Sequence, residues 1–109
     1  MRRGDIVVVA APGDYGKPRP AVVVQADALT ESGIASVILC LLSSTLVEAP
    51  LIRLTVELTS ENGLRQLSQI MVDKLFAVSH ERITGVIGRI NDEQLLRLNR
   101  MLAFVVGIG

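Results

Sequence analysis

From residue 5 to residue 90 the sequence breaks into short β-branched runs, each closed by glycine, proline, serine, aspartate or asparagine. No stretch between those runs is long and periodic enough for a crossover helix. That excludes a parallel sheet, because parallel neighbours need a connection of about a dozen residues or more, usually helical. The strands must instead turn back beside one another. The runs lie at 5–10, 20–25, 36–42, 51–59, 70–78 and 84–90. The third is apolar enough to be covered on both faces. The fourth alternates, with Ile52, Leu54, Val56 and Leu58 on one side and Arg53, Thr55, Glu57 and Thr59 on the other. Asp73-Lys74 interrupts the fifth, and Gly85 and Gly88 permit a bulge or close contact in the sixth.

The connections read as turns. Residues 11–18 hold two glycines, two prolines and one aspartate. Residues 26–33 read as a turn or short helical loop that Asp27 can cap, and 79–82 as one helical turn capped by Ser79. Only the C-terminal end has helical period. Asn91 and Gln94 form a capping-box pair, and Asp92 and Glu93 suit the helix N-terminus. Leu95, Leu98, Leu102 and Val105 recur on one face, and Gly107 is the stop. The expected fold is mainly β with a C-terminal helix: five to seven mostly antiparallel strands in a curved sheet or small barrel, with the helix packed on it. A length of 109 residues suits one domain, 1–109.

Composition narrows the function. Half the chain is hydrophobic, yet its aromatics are only Tyr15, Phe76 and Phe104. That apolar content argues against disorder, and its surplus for so small a domain points to a subunit interface. A lone cysteine, Cys40, allows neither an internal disulfide nor a Cys-based zinc cluster, and inside an apolar run it reads as a buried small hydrophobe. A lone histidine, His80, in a polar turn excludes a two-histidine ribonuclease site. The 11 basic and 11 acidic residues cancel, so no bulk charge attracts nucleic acid. The distribution is uneven: +2 over 1–20, −4 over 21–64 and +2 over 65–109. Folding can join the basic ends into one positive face. No apolar run approaches the ~18 residues of a membrane span. The Arg2-Arg3 start is followed by Asp5 and closed by Pro12-Gly13-Asp14, unlike a secretory signal. A cytoplasmic protein without a membrane partner is expected.

The order of short motifs carries a resemblance. Arg3-Gly4-Asp5-Ile6 opens the first strand; Arg19-Pro20 leads into Ala21-Val22-Val23-Val24-Gln25. Leu42-Ser43-Ser44 ends the third strand, Gly63-Leu64 precedes Ser68-Gln69-Ile70-Met71-Val72-Asp73, and Ile87-Gly88-Arg89-Ile90 leads to the final helix. Over nearly its whole length the chain resembles the MazF/PemK (Kid) toxins of bacterial toxin–antitoxin pairs. The resemblance implies an SH3-like barrel of the CcdB/MazF type, a homodimer, and metal-free cleavage of single-stranded RNA with no cofactor. It also implies a cognate antitoxin that blocks the RNA groove, usually with an acidic, poorly ordered C-terminal segment.

By the same resemblance, Arg19 and Ser43 occupy the principal catalytic positions; most relatives have Thr at the second. Their chemistry fits. Attack by the ribose 2′-OH on the adjacent phosphate builds a crowded phosphorane anion, which needs charge stabilisation and two proton transfers. A guanidinium can grip two phosphate oxygens at once but is no base. A serine hydroxyl can donate to a third oxygen. The candidate RNA-contacting set is Tyr15, Gly16, Lys17, Pro20, Ser44, Asp73 and Lys74, with no metal ligand. Tyr15 can stack on a base and Lys17 can neutralise a phosphate. Two roles fit Asp73: bonding an RNA base or orienting Arg19, or serving as a structural carboxylate satisfied by backbone groups or Lys74. Some relatives carry Arg-x-Asp here, where this chain has Met71-Val72-Asp73.

Two other functions suit the fold. A CcdB-like gyrase poison would end in Trp-Gly-Ile, whereas this chain ends Val106-Gly107-Ile108-Gly109. A non-enzymatic SH3-like module would use Arg19 only to grip an anionic partner. Zero net charge also predicts few phosphate contacts and a shallow salt dependence of RNA binding.

Overall fold

The computed structural model describes residues 1–10 and 17–108. The described chain runs β1 (Asp5–Ala10), β2 (Pro18–Val23), α1 (Asp27–Glu31), β3 (Ser36–Ser43), β4 (Arg53–Val56), β5 (Ser68–Ser79), a 3-10 turn (His80–Arg82), β6 (Ile83–Arg89) and α2 (Asp92–Val106). The strands form one sheet of order β4-β5-β3-β2-β1-β6, and every pairing is antiparallel. The missing crossovers thus have the predicted consequence.

Alternation along the central strands sends side chains to two apolar clusters. Ile6, Val22, Val24, Cys40 and Leu42 join Leu54, Val56, Ile70 and Val72 beneath α2, which inserts Leu98. Val7, Val9, Ala21, Val23, Val37 and Leu39 point the other way and pack with Val78, Phe76 and Ile83. The strands at the centre are therefore buried on both faces, which is why they read as unbroken apolar runs. Helix α2 starts with the expected capping box between Asn91 and Gln94, and Gly107 ends it at φ 80°.

The structure differs from the sequence expectation at several element ends. β4 is shorter than 51–59. The N–H groups of Ile52 and Arg53 both donate to the Ala49 carbonyl, which turns the chain there. Beyond Val56, the buried Asn62 takes the Glu57 carbonyl and the Thr59 N–H, so Leu58 is exposed instead of facing the core. Asp27 does not cap α1; Ala26 holds that position, and the Asp27 carboxylate accepts from the Arg3 N–H at 2.7 Å. Ser79 precedes the 3-10 turn without a side-chain cap. β5 continues through Asp73-Lys74, where Asp73 pairs with Arg53 of β4.

Two bulges loosen the β1–β6 ladder, one between Ile6 and Val7 and one between Val8 and Val9. The turn before β5 presses against the β6 backbone there. A Cβ on Gly88 would stand 2.3 Å from the Asn62 carbonyl carbon, and one on Gly63 would stand 2.2 Å from the Ile87 oxygen. The Arg89 N–H donates to the Glu61 carbonyl at 2.9 Å across the same contact. Gly88→Ala should destabilise by about 2 kcal/mol or more, the cost of overpacking against backbone that cannot yield. Gly85→Ala, where a Cβ meets nothing within 4 Å, should cost far less. Urea unfolding of the two variants beside the wild type checks this ordering.

Candidate functional site

Arg19 lies on β2 opposite Val9 of β1. On its other side β2 pairs with β3 in the register Ala21↔Leu41, Val22↔Cys40, Val23↔Leu39. Continued two residues past the last pair, that register sets Arg19 opposite Ser43 on the same face of the sheet. The guanidinium leans across the gap: its Nη2 donates to the Leu42 carbonyl at 3.3 Å, the carbonyl of the peptide leading into Ser43. The two residues come together by strand register, from positions 24 apart in the chain.

The loop after β3 is held in place from β5. Gln69, paired with Ser43 in the ladder, is buried. Its side-chain amide donates to the Val47 carbonyl and accepts from the Val47 N–H, both at 3.0 Å, and also donates to the Thr55 hydroxyl at 3.2 Å. Ser43 Oγ accepts from the Thr45 N–H at 3.1 Å, a local turn that fixes the hydroxyl oxygen and keeps its hydrogen for donation.

Beside this pair opens a cavity of about 570 Å³. One wall is β2 and the end of β3, with Arg19, Pro20 and Ser44. The other is the turn before β5, with Leu64, Arg65 and Gln66; Val8 and Ile87 close the floor and end. The second wall is rigid by construction. Asn62 is 1 % exposed, and its side chain bonds Glu57, Thr59 and Leu64 backbone groups at 2.7, 3.3 and 3.1 Å. In the same turn the Glu61 carboxyl is held below its ordinary value by its own backbone N–H, then by the Ser60 and Thr59 hydroxyls. Among the described lining residues the charged ones are Arg19 and Arg65, with no carboxylate.

Of the sequence-derived candidates, Arg19, Pro20 and Ser44 line this cavity. Ser43 is not itself in the lining but stands in the chain between two residues that are, Leu42 and Ser44. Lys17 is exposed just before β2. Asp73 and Lys74 lie on β5 where its ladder with β3 is interrupted, and they do not line the cavity. Asp73 instead pairs with Arg53, with Lys74 Nζ 3.8 Å away. Tyr15 and Gly16 lie outside the described residues. Arg65 and Gln66 were missed: they sit in an exposed turn without periodicity or motif, and only the fold puts them in the lining of the same cavity as Arg19. Among the described residues no cluster of three or more His, Cys, Asp or Glu is placed to hold a metal ion, and no helix is long and apolar enough to cross a membrane.

Cys40 is fully buried beneath this region, and burial, with Asp73 adding to it, pushes its thiol up to about 12. It is thus a packing residue with no thiolate to offer near neutral pH. Native protein at pH 8 should resist alkylation by iodoacetamide, and unfolded protein should react fully, as mass spectrometry reads directly. Because the folded thiol pKa is raised, its contribution to stability is complete below the ordinary thiol range and is lost as pH climbs toward about 12.

The sequence model of a family described as PemK-like, MazF-like toxin of type II toxin–antitoxin system matches residues 2–106. Over its full length the chain is 38% identical to a Mycolicibacterium smegmatis protein named probable endoribonuclease MazF, covering 99% of that protein. Its fold is similar to that of a mycobacterial endoribonuclease solved with its cognate antitoxin, at a TM-score of 0.83 and 17% identity, over 100% of this chain and 97% of that one. A MazE–MazF structure from Deinococcus radiodurans aligns at a TM-score of 0.79 and 15% identity, over 100% and 97% of the two chains.

Proposed function

The chain belongs to the PemK-like, MazF-like toxin family of type II toxin–antitoxin systems, and from that membership we propose a sequence-specific endoribonuclease that cuts single-stranded mRNA in the cytoplasm and is neutralised by a cognate antitoxin. The single observation that supports the site assignment is the β2–β3 register, extended to Arg19 and Ser43, together with the Arg19–Leu42 bond beside a cavity lined without carboxylates among the described residues.

The ribose 2′ oxygen attacks the adjacent phosphorus, forming the 2′ O–P bond as the bond to the 5′ oxygen breaks. The 2′ oxygen loses its proton and the departing 5′ oxygen gains one. The products are a 2′,3′-cyclic phosphate and a 5′-OH. Arg19 supplies two N–H donors and a positive charge to the equatorial oxygens of the phosphorane, where charge grows most. Ser43 Oγ donates its hydrogen to the same anion. Pro20 and Ser44 shape the groove around the scissile link, and Lys17, exposed just before β2, can neutralise a further phosphate; the roles of Tyr15 and Gly16 rest on the sequence alone. Asp73 is best read as the structural partner of Arg53, one of the two roles its sequence context allowed, with Lys74 beside it. An antitoxin with an acidic C-terminal segment fits the same groove, because a carboxylate chain meets the same arginines.

The active form is a homodimer. Val86 and Ile87 on β6 and Phe104, Val106 and Ile108 at the end of α2 are 41–72 % exposed, the surplus the composition foretold. The gyrase-poison and binding-module alternatives lose ground to family membership.

In EDTA, wild-type protein should cut a long single-stranded RNA into discrete fragments. Arg19→Ala should slow cleavage about 10³-fold and Ser43→Ala about 10²-fold, the cost of removing donors to a developing oxyanion. An RNA lacking the one 2′-OH at the cut site should survive intact; cutting of that RNA would exclude internal attack. Sedimentation equilibrium at micromolar concentration should give a dimer, and a monomer would contradict the oligomeric assignment.

A further inference from the structure

The chain uses its amide side chains as fasteners, with one exception. Asn62 gathers the Glu57, Thr59 and Leu64 backbone, and Gln69 bonds Val47 and Thr55. Gln25 donates to Thr30 and accepts from the Ile38 N–H, Asn91 and Gln94 cap α2, and Asn99 accepts from Arg3. Gln66 is the remaining amide in the sequence. Its backbone carbonyl accepts from the Ser68 hydroxyl at 2.9 Å, and among the described residues its side-chain amide has no hydrogen-bond partner. Gln66 is exposed and lines the same cavity as Arg19. The backbone on either side of it is fixed. The Leu64 N–H donates to buried Asn62 at 3.1 Å, Ser68 is 5 % exposed at the start of β5, and a Cβ on Gly63 would stand 2.2 Å from the Ile87 oxygen. An uncommitted amide therefore hangs from a firmly held support.

In the same lining Val8, Pro18, Pro20 and Leu64 supply apolar surface. An apolar seat edged by an uncharged donor and acceptor suits a flat heterocycle; a phosphate is held by cations or several N–H groups instead. From this placement we propose that the cavity seats a base flanking the cut and that Gln66 reads its edge, with Nε2 donating and Oε1 accepting. The inference rests on the ribonuclease reading of this cavity and adds to it the residue that makes cutting selective at one position. Single-stranded RNA is read through splayed-out bases whose Watson–Crick and Hoogsteen edges bond to side chains. An amide carries both polarities side by side, so it pairs with two edge groups at once. Gln66 touches a base and not the reacting phosphorus, so it governs which RNA is cut, while Arg19 serves the chemical step. Phosphate contacts carry no sequence information, and a chain of zero net charge draws little from bulk attraction, which leaves the base contact to decide.

The test uses full-length protein in EDTA and a single-stranded RNA with a randomised stretch, the cleaved ends being sequenced. Wild type should prefer one base at a position flanking the cut by about 10-fold or more in kcat/KM, the discrimination of one bidentate pair. Gln66→Ala should level the four bases at that position and keep the preferences elsewhere. Gln66→Glu, which only accepts, should re-rank the bases there toward those that present an amino group. In short RNAs of fixed sequence, exchanging the preferred base should cost the wild type about 10-fold in kcat/KM and Gln66→Ala less than about 2-fold. An unchanged ranking in both variants would overturn the proposal. So would a wild type with no preference at any flanking position, or a loss in Gln66→Ala that is equal for all four bases. Because Gln66 is exposed and its backbone bond to Ser68 survives the change, both variants should melt with the wild type. If the wild type cuts no RNA, the ribonuclease reading fails first; if it cuts and the variants keep its ranking, the base reader alone fails.

Discussion

The pairing register of β2 with β3 is the constraint on which the rest depends. Antiparallel pairing makes every cross-strand partner a fixed sum of residue numbers, and a slip of one residue would turn the apolar faces inside out. Val22 and Cys40 fall into one cluster, and Ala21, Val23 and Leu39 into the other. With both faces buried, the register is held by packing on each side. Arg19 and Ser43 need no dedicated fastening to meet. They are the next same-face pair beyond the ladder, where the strands separate and the sheet gives way to a groove.

The second wall of that groove comes from a different device. A turn of polar residues would ordinarily be a weak support, yet buried Asn62 gathers backbone groups from Glu57 to Leu64 and two glycines let it lie against β6. Gln69 does the same for the loop after β3 by bonding Val47 in both directions. In both places a buried amide side chain substitutes for a missing strand neighbour. Rigid supports of this kind suit chemistry that relies on charge placement, since donors already in position lose little on binding.

Local signals in the sequence carried through in part, since the caps read at Asp27 and Ser79 did not form. The apolar runs, the lack of crossovers and the Asn91–Gln94 box each had a direct counterpart in the fold. Strand ends were less legible, because Asn62 and Ala49 end β4 through contacts that periodicity does not encode. Arg19 and Ser43 stood out only through the order of motifs, since either alone is an ordinary loop residue. Arg65 gave no signal at all: it joins the cavity lining through the tertiary contact between its turn and β6. Asp73 was ambiguous in the sequence because its partner Arg53 is 20 residues away and on another strand.

The central claim is that Arg19 and Ser43 stabilise one anion together. A double-mutant cycle measures this directly, with single-turnover cleavage in EDTA compared among wild type, Arg19→Ala, Ser43→Ala and the double variant. Groups that share one phosphorane should be non-additive, with the double variant losing less than the two single losses combined and a coupling of about 1 kcal/mol or more. Additivity to within about 0.5 kcal/mol would show that the two residues act on separate things, and would contradict the account.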